Sequence, residues 1–198
     1  YAWPDTDQGQ DAQNPIAIAN LNDNVQDRYR AWASLYGEIE ILRGLTYKLQ
    51  VGLDFNYQDN FSYTPRYDGV RRNVSPSSMS VGRSQFISPL LEQFLTYNTS
   101  FGKHALTGLL GFSAQSFQFT NRGASGSELP DDVINLQAAT QNIVVNYDKN
   151  ESSLRSLFGR LTYSFDNKYL LTANLRYDES SKLFRGNDPS GIFPSVSA

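Results

Sequence analysis

Apolar and polar side chains alternate along much of this chain, which is the pattern of β-strands. In residues 46–58, TYKLQVGLDFNYQ, the odd positions from Tyr47 to Tyr57 are apolar or aromatic, and the even positions from Lys48 to Gln58 are polar or glycine. A strand of this kind has one apolar and one polar face. The apolar face points inward in a soluble protein but outward to lipid in a membrane barrel. The orientation of that face therefore decides the class of protein.

The alternating segments form three pairs, each joined by a short turn. The third turn, Asp166-Asn167, consists of residue types that tolerate the left-handed backbone of tight hairpins. The sequence predicts an all-β fold, an antiparallel up-and-down meander of long hairpins that is part of a large transmembrane β-barrel. A seventh strand is expected to begin near Ile192. The six predicted strands are 27–42, 46–58, 90–101, 104–118, 154–165 and 168–178.

Long polar connections rich in Gly, Pro, Ser and Asn are predicted between the pairs, at 59–89, 119–153 and 179–191. Loops of this length are uncommon in compact soluble domains. Short turns at one end of the strands and long loops at the other are typical of outer-membrane barrels. Tilted strands of about 9–11 residues cross a bilayer, and the predicted strands are that long or longer. Both features favour a membrane barrel.

Aromatic residues fall into two bands on the apolar faces. Tyr47, Phe101, Phe165 and Tyr169 lie beside the short turns, and Tyr29, Tyr57 and Tyr177 lie beside the long loops. Aromatic residues favour strands in general, but two bands at the ends of several strands are typical of the girdles at membrane interfaces. We therefore expect the apolar faces to contact lipid, in particular at Leu49, Val51, Leu53, Leu110, Leu161 and Leu171.

The composition agrees with this interpretation and narrows the chemistry. Hydrophobic residues make up 39% of the 198 residues, and no stretch approaches the roughly 18 consecutive apolar residues of a spanning helix. A barrel needs apolar residues only at alternate positions. The net charge of −3 offers no basic surface for nucleic acid. The absence of cysteine excludes disulfides and thiolate chemistry.

No group of residues makes a convincing catalytic site. The one histidine, His104, lies beside a short turn and is better explained as a turn residue than as part of a Ser-His-Asp arrangement. Glu38 and Glu40 share a strand face, where solvated polar residues are expected rather than a glycosidase pair. The acidic loop residues lack the spacing of an EF-hand and are interpreted as polar loop positions. These are Asp5, Asp7, Asp131 and Asp132. We predict no enzyme activity, cofactor or metal.

One loop is a candidate for binding a substrate or a partner. The segment FSYTPRYDGVRR combines aromatic rings, which stack on sugars, with guanidinium groups, which bind carboxylates. The same residues could instead pack one loop onto another. The candidate residues are Phe61, Tyr63, Arg66, Tyr67, Arg71 and Arg72.

Several stretches resemble the barrel of SusC/RagA-type TonB-dependent outer-membrane transporters of Bacteroidetes. They are NPIAIANLNDN, LYGEIEILRGLTYKLQVGLDFNY, FLTYNTSFGKHALTGLLGFSAQ, SLFGRLTYSFDNKYLLTANLRYDESSKL and GIFPSVSA. The resemblance implies import of nutrients such as oligosaccharides or peptides across the cell outer membrane, energised through the TonB complex. It also implies contact with outer-membrane lipid, an N-terminal plug and a SusD-like lipoprotein lid.

On this resemblance, residues 1–198 correspond to an internal part of the barrel, with about six strands and the start of a seventh. Such a piece cannot close the barrel of about 22 strands that these transporters have, and the plug and TonB-contacting segments have no counterpart in it. The alternative is a secreted soluble β-sheet protein that binds a glycan or a protein partner. A need for detergent during extraction separates the two hypotheses.

Overall fold

The computed structural model describes residues 22–66, 76–130, 133–182 and 190–198. Seven strands form one sheet in which each strand pairs with its neighbours in sequence. This order confirms the predicted meander and makes β1 and β7 the two edges. The strands are β1 (Asp23–Leu42), β2 (Leu45–Thr64), β3 (Ser78–Phe101), β4 (His104–Ser127), β5 (Gln141–Phe165), β6 (Tyr169–Ser180) and β7 (Ser190–Ser197). Within the described ranges, no helix is long and apolar enough to span a membrane.

The short turns have the backbone that their sequences predict. Asp166 and Asn167 have φ values of 52° and 54°, which confirms the predicted left-handed turn. Gly44 has a φ of 81°, and the Asn98 amide donates to its carbonyl oxygen at 2.7 Å. A Cβ atom at Gly44 would lie 2.3 Å from the Asn98 carbonyl oxygen. Glycine at this turn is therefore required by both the backbone angle and the close approach of β3.

The predicted strand ends facing the long connections are wrong, because the strands continue much further. β2 ends at Thr64 rather than 58, and β3 begins at Ser78 rather than 90. β4 ends at Ser127 rather than 118, and β5 begins at Gln141 rather than 154. The connections predicted at 59–89 and 119–153 are therefore mostly strand. Polar residues such as Asp59, Arg122 and Lys149 interrupt the apolar series in these extensions, so the alternation on which the prediction depended weakens although the backbone pairing continues.

The strands pass through two compact units. The turn-end unit comprises Arg30–Phe55, Phe86–Phe119 and Asn150–Ala198, and it contains the short turns. Its apolar face is uncovered: Leu53, Leu110 and Leu161 are 42%, 54% and 50% exposed. No hydrophobic side chain of this unit is buried among the residues that the structure describes. All six positions predicted to face lipid are exposed, namely Leu49, Val51, Leu53, Leu110, Leu161 and Leu171.

The loop-end unit comprises Tyr1–Tyr29, Asn56–Gln85 and Thr120–Lys149, and it has a small core of its own. Met79, Leu129 and Ala139 are its buried hydrophobic residues in the described part of the chain. The Ser77 side chain is hydrogen-bonded to the backbone of this core. Its hydroxyl accepts from the Leu129 amide at 2.8 Å and donates to the Leu129 carbonyl oxygen at 2.9 Å. A single turn of 3-10 helix, Leu136–Ala138, packs beside this core. The described part of the connection after β4 is therefore a folded segment.

Candidate functional site

A row of aromatic and cationic side chains crosses the polar face of the turn-end unit. It begins on β1 and β2, where Lys48 Nζ lies 4.8 Å from the ring centroid of Tyr36. The same ammonium group lies 5.9 Å from the ring centroid of Phe94 on β3. A cation at these distances is attracted to the faces of both rings. Lys48 is therefore held between two aromatic side chains.

The row continues through a contact between two phenylalanines. The ring centroids of Phe94 and Phe158 are 6.0 Å apart, and the ring planes meet at 63°, an edge-to-face arrangement. The ring of Phe158 lies over Gly111 on β4, where a Cβ atom would come within 2.3 Å of it. Gly111 therefore leaves the space in which Phe158 reaches across β4 toward Phe94.

Arg176 on β6 ends the row. It pairs across the sheet with Phe158 on one side and with Phe193 on the other. The guanidinium carbon lies 5.5 Å from the ring centroid of Phe158. We define the aromatic–cation row by its five contacting members, Tyr36, Lys48, Phe94, Phe158 and Arg176.

The two cations of the row differ in how their charge is balanced. Arg176 Nε donates to Asp178 at 2.7 Å, and its terminal nitrogen donates to Ser156 at 3.0 Å. Within the described ranges, Lys48 makes no ion pair, and its ammonium group lies near the rings of Tyr36 and Phe94. Lys48 is therefore the cation of the row that has capacity for an anionic or hydroxyl-bearing ligand.

The rest of this polar face is held together by cross-strand hydrogen bonds. Arg30 pairs with Asp54 at 3.1 Å, and Arg160 Nε donates to Asn174 at 2.7 Å. Glu40, weighed above as part of a carboxylate pair, instead accepts from the Gly44 amide at 3.1 Å and so stabilises the first turn. The face offers a polar wall with one aromatic stripe, and its chemistry suits contact with a ligand rather than catalysis.

On the opposite face, aromatic rings gather at the short turns around His104. The imidazole stacks on Phe101 at 5.0 Å and 18°, and its centroid lies 5.0 Å from that of Phe165. Its Nδ1 atom is hydrogen-bonded to the Tyr163 hydroxyl at 2.6 Å. Phe165 in turn packs against Tyr169 at 6.4 Å. His104 is thus a packing residue beside a turn, and three aromatic residues predicted beside the short turns meet here.

The structure describes three of the loop residues predicted to bind substrate. Phe61 and Tyr63 pack against the small core of the loop-end unit. Arg66 is exposed and has an interaction of its own. Three others lie outside the described residues, namely Tyr67, Arg71 and Arg72. Of the acidic loop residues, Asp5, Asp7, Asp131 and Asp132 also lie outside them. Among the residues described, no three His, Cys, Asp or Glu side chains form a group that could hold a metal ion.

Sequence reasoning missed the aromatic–cation row because its members are up to 140 positions apart and meet only through the register of the sheet. One signal was visible. Phe158 stands between Ser156 and Arg160 in the polar series of its strand, where an aromatic residue breaks the pattern. An aromatic residue on a polar face has to be explained by a contact on that face.

Taken together, an unclosed antiparallel meander, an uncovered apolar face and a polar face lined with hydrogen-bonded side chains define the wall of a membrane β-barrel. The family described as TonB dependent receptor-like, beta-barrel, matches residues 1–198. The chain therefore belongs to the β-barrel domain of the TonB-dependent receptors, a family of outer-membrane β-barrels.

Curated relatives agree with this assignment. The TonB-dependent receptor P3 of Formosa agariphila is 32% identical over 194 residues, which cover 94% of this chain and 19% of the relative. The TonB-dependent receptor P39 of the same organism is 30% identical over 194 residues, covering 92% of this chain and 18% of the relative. These relatives are receptors rather than enzymes. The chain spans about a fifth of the length of the relatives it matches.

Solved structures show the same fold. The structure of the RagAB peptide transporter matches with a TM-score of 0.83 at 23% identity, covering 90% of this chain and 20% of that one. The RagAB peptide importer in the open-open state matches with a TM-score of 0.82 at 24% identity and the same coverage. At this identity the likeness concerns the fold. It agrees with the resemblance to SusC/RagA-type barrels noted in the sequence.

Proposed function

We propose that this chain is part of the barrel wall of a TonB-dependent active transporter in the cell outer membrane, importing nutrients such as oligosaccharides or peptides with a SusD-like lipoprotein. The observation that carries the proposal is the uncovered apolar face of the turn-end unit. Only Met79, Leu129 and Ala139 are buried hydrophobic residues in the described ranges, and all three belong to the loop-end unit. A soluble sheet with so little core would be marginal at best.

The aromatic–cation row supports a contact with the transported molecule. Aromatic faces stack on sugar rings and on side chains of peptides, and the ammonium group of Lys48 offers a donor to hydroxyl or carboxylate groups. The row lies on the face that lines the interior in a membrane barrel. We assign to it the role of guiding the substrate along the wall. Further contacts from the loop around Arg66 are proposed on the chemistry of its aromatic and arginine side chains.

Fractionation of cells that express the parent protein tests the location. We expect the protein in the outer-membrane fraction and its release only by detergent. Release by salt or alkaline washing alone would reject the membrane proposal and favour a secreted β-sheet protein that binds a glycan or a protein.

A substitution in the parent protein tests the row. We expect Lys48→Gln to raise the KM for uptake of a labelled oligosaccharide or peptide mixture about three- to tenfold, the range of one charge-assisted contact. The amount of protein in the membrane should stay unchanged. Lys168→Gln is the matched control, because this turn lysine pairs with Asp166 at 3.0 Å outside the row. Equal uptake by both variants would remove Lys48 from the substrate path.

A further inference from the structure

Two asparagine side chains of the loop-end unit reach toward the same bare patch of backbone. The patch lies on β3 and β4, whose register at their far ends is set by the Glu128 amide, which donates to the Ser77 carbonyl oxygen at 2.9 Å. Five residues inward along each strand, this register places Gly82 opposite Gly123. A Cβ atom at Gly123 would lie 3.3 Å from the Val81 carbonyl oxygen, which agrees with that register. We call these two glycines the glycine floor.

The two carboxamides approach the glycine floor from opposite sides. Asn60 lies on β2, beside β3, and its Nδ2 atom is 3.9 Å from the position that a Cβ atom would take at Gly82. Asn146 lies on β5, beside β4, and its Oδ1 atom is 2.5 Å from the corresponding position at Gly123. Opposite Cβ positions in an antiparallel pair are about 4.5–5.5 Å apart. The two side chains therefore converge on a gap that suits a small planar group.

A chain of hydrogen bonds fixes which atom of Asn60 faces the floor. Arg28 donates to Gln58 Oε1 through Nε at 3.2 Å and through a terminal nitrogen at 2.7 Å. Gln58 Nε2 then donates to Asn60 Oδ1 at 2.9 Å. Because a guanidinium group can only donate, it sets the orientation of both amides. A donor, Asn60 Nδ2, therefore faces the floor from one side, and an acceptor, Asn146 Oδ1, faces it from the other.

The positions around the floor are neutral and small. Two residues along each strand in either direction, the same register places hydroxyl and carboxamide side chains, namely Ser80, Ser84, Asn121 and Ser125. None of these four side chains carries a charge, so the gap suits an uncharged group. None is an aromatic ring on which a sugar could stack, so the gap suits a peptide better than a glycan.

We propose that Asn60 and Asn146 bind one main-chain amide of an extended peptide above the glycine floor. In a trans amide the carbonyl and N–H groups point in opposite directions. The carbonyl oxygen can therefore accept from Asn60 while the N–H group donates to Asn146, and glycine allows the close approach of another backbone. The inference rests on the proposed function and narrows its substrate class, because Gln58 and Asn60 continue the even-numbered polar series of β2, which faces the interior in a membrane barrel.

Binding of peptides by the purified parent protein in detergent tests the proposal. The first probe is a pool of uncharged peptides with capped ends, and the second is the same pool N-methylated at every main-chain amide. The third is a β-1,4-linked oligomer of N-acetylglucosamine, which carries amides on sugar rings. We expect the first probe to bind and N-methylation to raise the half-saturating concentration about tenfold, because it removes the donor to Asn146.

Carboxylate substitutions distinguish the donor from the acceptor. Asn60→Asp should raise the half-saturating concentration of the first probe about tenfold, because it removes the donor while Gln58 can still donate to the new side chain. Asn146→Asp should bind within about twofold of the unsubstituted protein, because a carboxylate oxygen also accepts. Asn24→Asp is the matched control, since Asn24 belongs to the same unit and accepts from the Ser62 hydroxyl.

The outcomes separate this inference from the function on which it rests. Loss in Asn60→Asp, with binding retained in Asn146→Asp and Asn24→Asp, supports the amide site. Equal binding by Asn60→Asp and Asn24→Asp overturns it, and so does a first probe that does not bind or an N-methylated pool that binds as well. Preference for the N-acetylglucosamine oligomer overturns the assignment to peptides. A parent protein released without detergent would instead fail the proposed function itself.

Discussion

The turn-end and loop-end units are built from the same strands but hold together in different ways. In the turn-end unit, apolar side chains such as Leu53 and Leu161 are exposed along one face, and no hydrophobic residue is buried in its described part. In the loop-end unit, exposed apolar residues such as Val145 are interspersed with polar ones, and Met79 and Leu129 belong to a small core. The apolar face of the turn-end unit is the kind of surface that lipid covers in a membrane barrel, whereas the loop-end unit covers part of its own apolar surface. The two units therefore differ in how much of their apolar surface the protein itself covers.

The largest expected effect comes from removing the lipid and the rest of the barrel. The 198 residues alone would expose the apolar face of the turn-end unit and the open edges of β1 and β7. Open edges pair with other chains, and large apolar patches associate. We expect sedimentation in detergent-free buffer to show aggregates. A monodisperse monomer that melts cooperatively would contradict the membrane assignment and favour the soluble alternative.

Substituting one exposed apolar residue in each unit by arginine tests whether the two units have different surroundings. We expect Leu53→Arg to destabilise the parent protein by about 2–4 kcal/mol if this side chain lies near the bilayer midplane. Val81→Arg, at a position that is 37% exposed in the loop-end unit, should have little effect. Urea unfolding in lipid bilayers measures both. Equal losses of unfolding free energy in the two variants would contradict the difference between the units. A spin label at Leu53 that is accessible to water-soluble relaxants and not to oxygen would contradict it as well.

Destabilising the small core of the loop-end unit should unfold it locally and leave the strands of the sheet paired. Leu129→Ala removes one of its three buried hydrophobic residues in the described part of the chain, and we expect a local cost of about 2 kcal/mol, at the low end for core truncation. Limited proteolysis within the connection after β4 should accelerate, while the urea midpoint of the barrel stays constant. Val133→Ala, at an exposed position of the same connection, is the control.

The smallest effect on stability is expected in the aromatic–cation row. Gly111→Ala would push against the ring of Phe158 and turn it away from Phe94, at a cost of about 1–2 kcal/mol for overpacking. The same substitution at Gly108 meets no atom within 4 Å and should be close to neutral. Urea unfolding compares the two variants. The KM for uptake should rise in Gly111→Ala alone, and identical behaviour would indicate that the contact with Phe158 is unimportant.

The turn-end unit could be predicted from sequence because its environment imposes the alternation. Lipid on one side and a polar interior on the other require apolar and polar residues to alternate with period 2. The strands and the exposed leucines could be predicted from this alternation, and the turn at Asp166-Asn167 from its residue types. The part of β2 beyond residue 58 and the part of β5 before residue 154 could not be predicted from the sequence. Polar residues such as Asp59 and Lys149 interrupt the alternation there, so that a paired strand resembles a polar loop.

Contacts between residues on distant strands could not be predicted from the sequence either. Phe61 and Tyr63 pack against the core of the loop-end unit, and their contact with a ligand stays a prediction. The row from Lys48 to Arg176 depends on register, which alternation alone does not set across long connections. The signals that remain in the sequence are exceptions to the pattern, such as Phe158 on a polar face.

Sequential pairing has a consequence for how the wall assembles. Each strand pairs only with the strands before and after it in the chain, in the order β1 to β7. Strands joined by short turns meet early, because closing a short loop costs little chain entropy. The wall can therefore grow processively, hairpin by hairpin, with each finished hairpin presenting its last strand as the template for the next. Insertion or loss of a whole hairpin would change the circumference without altering the pairing of the strands that remain.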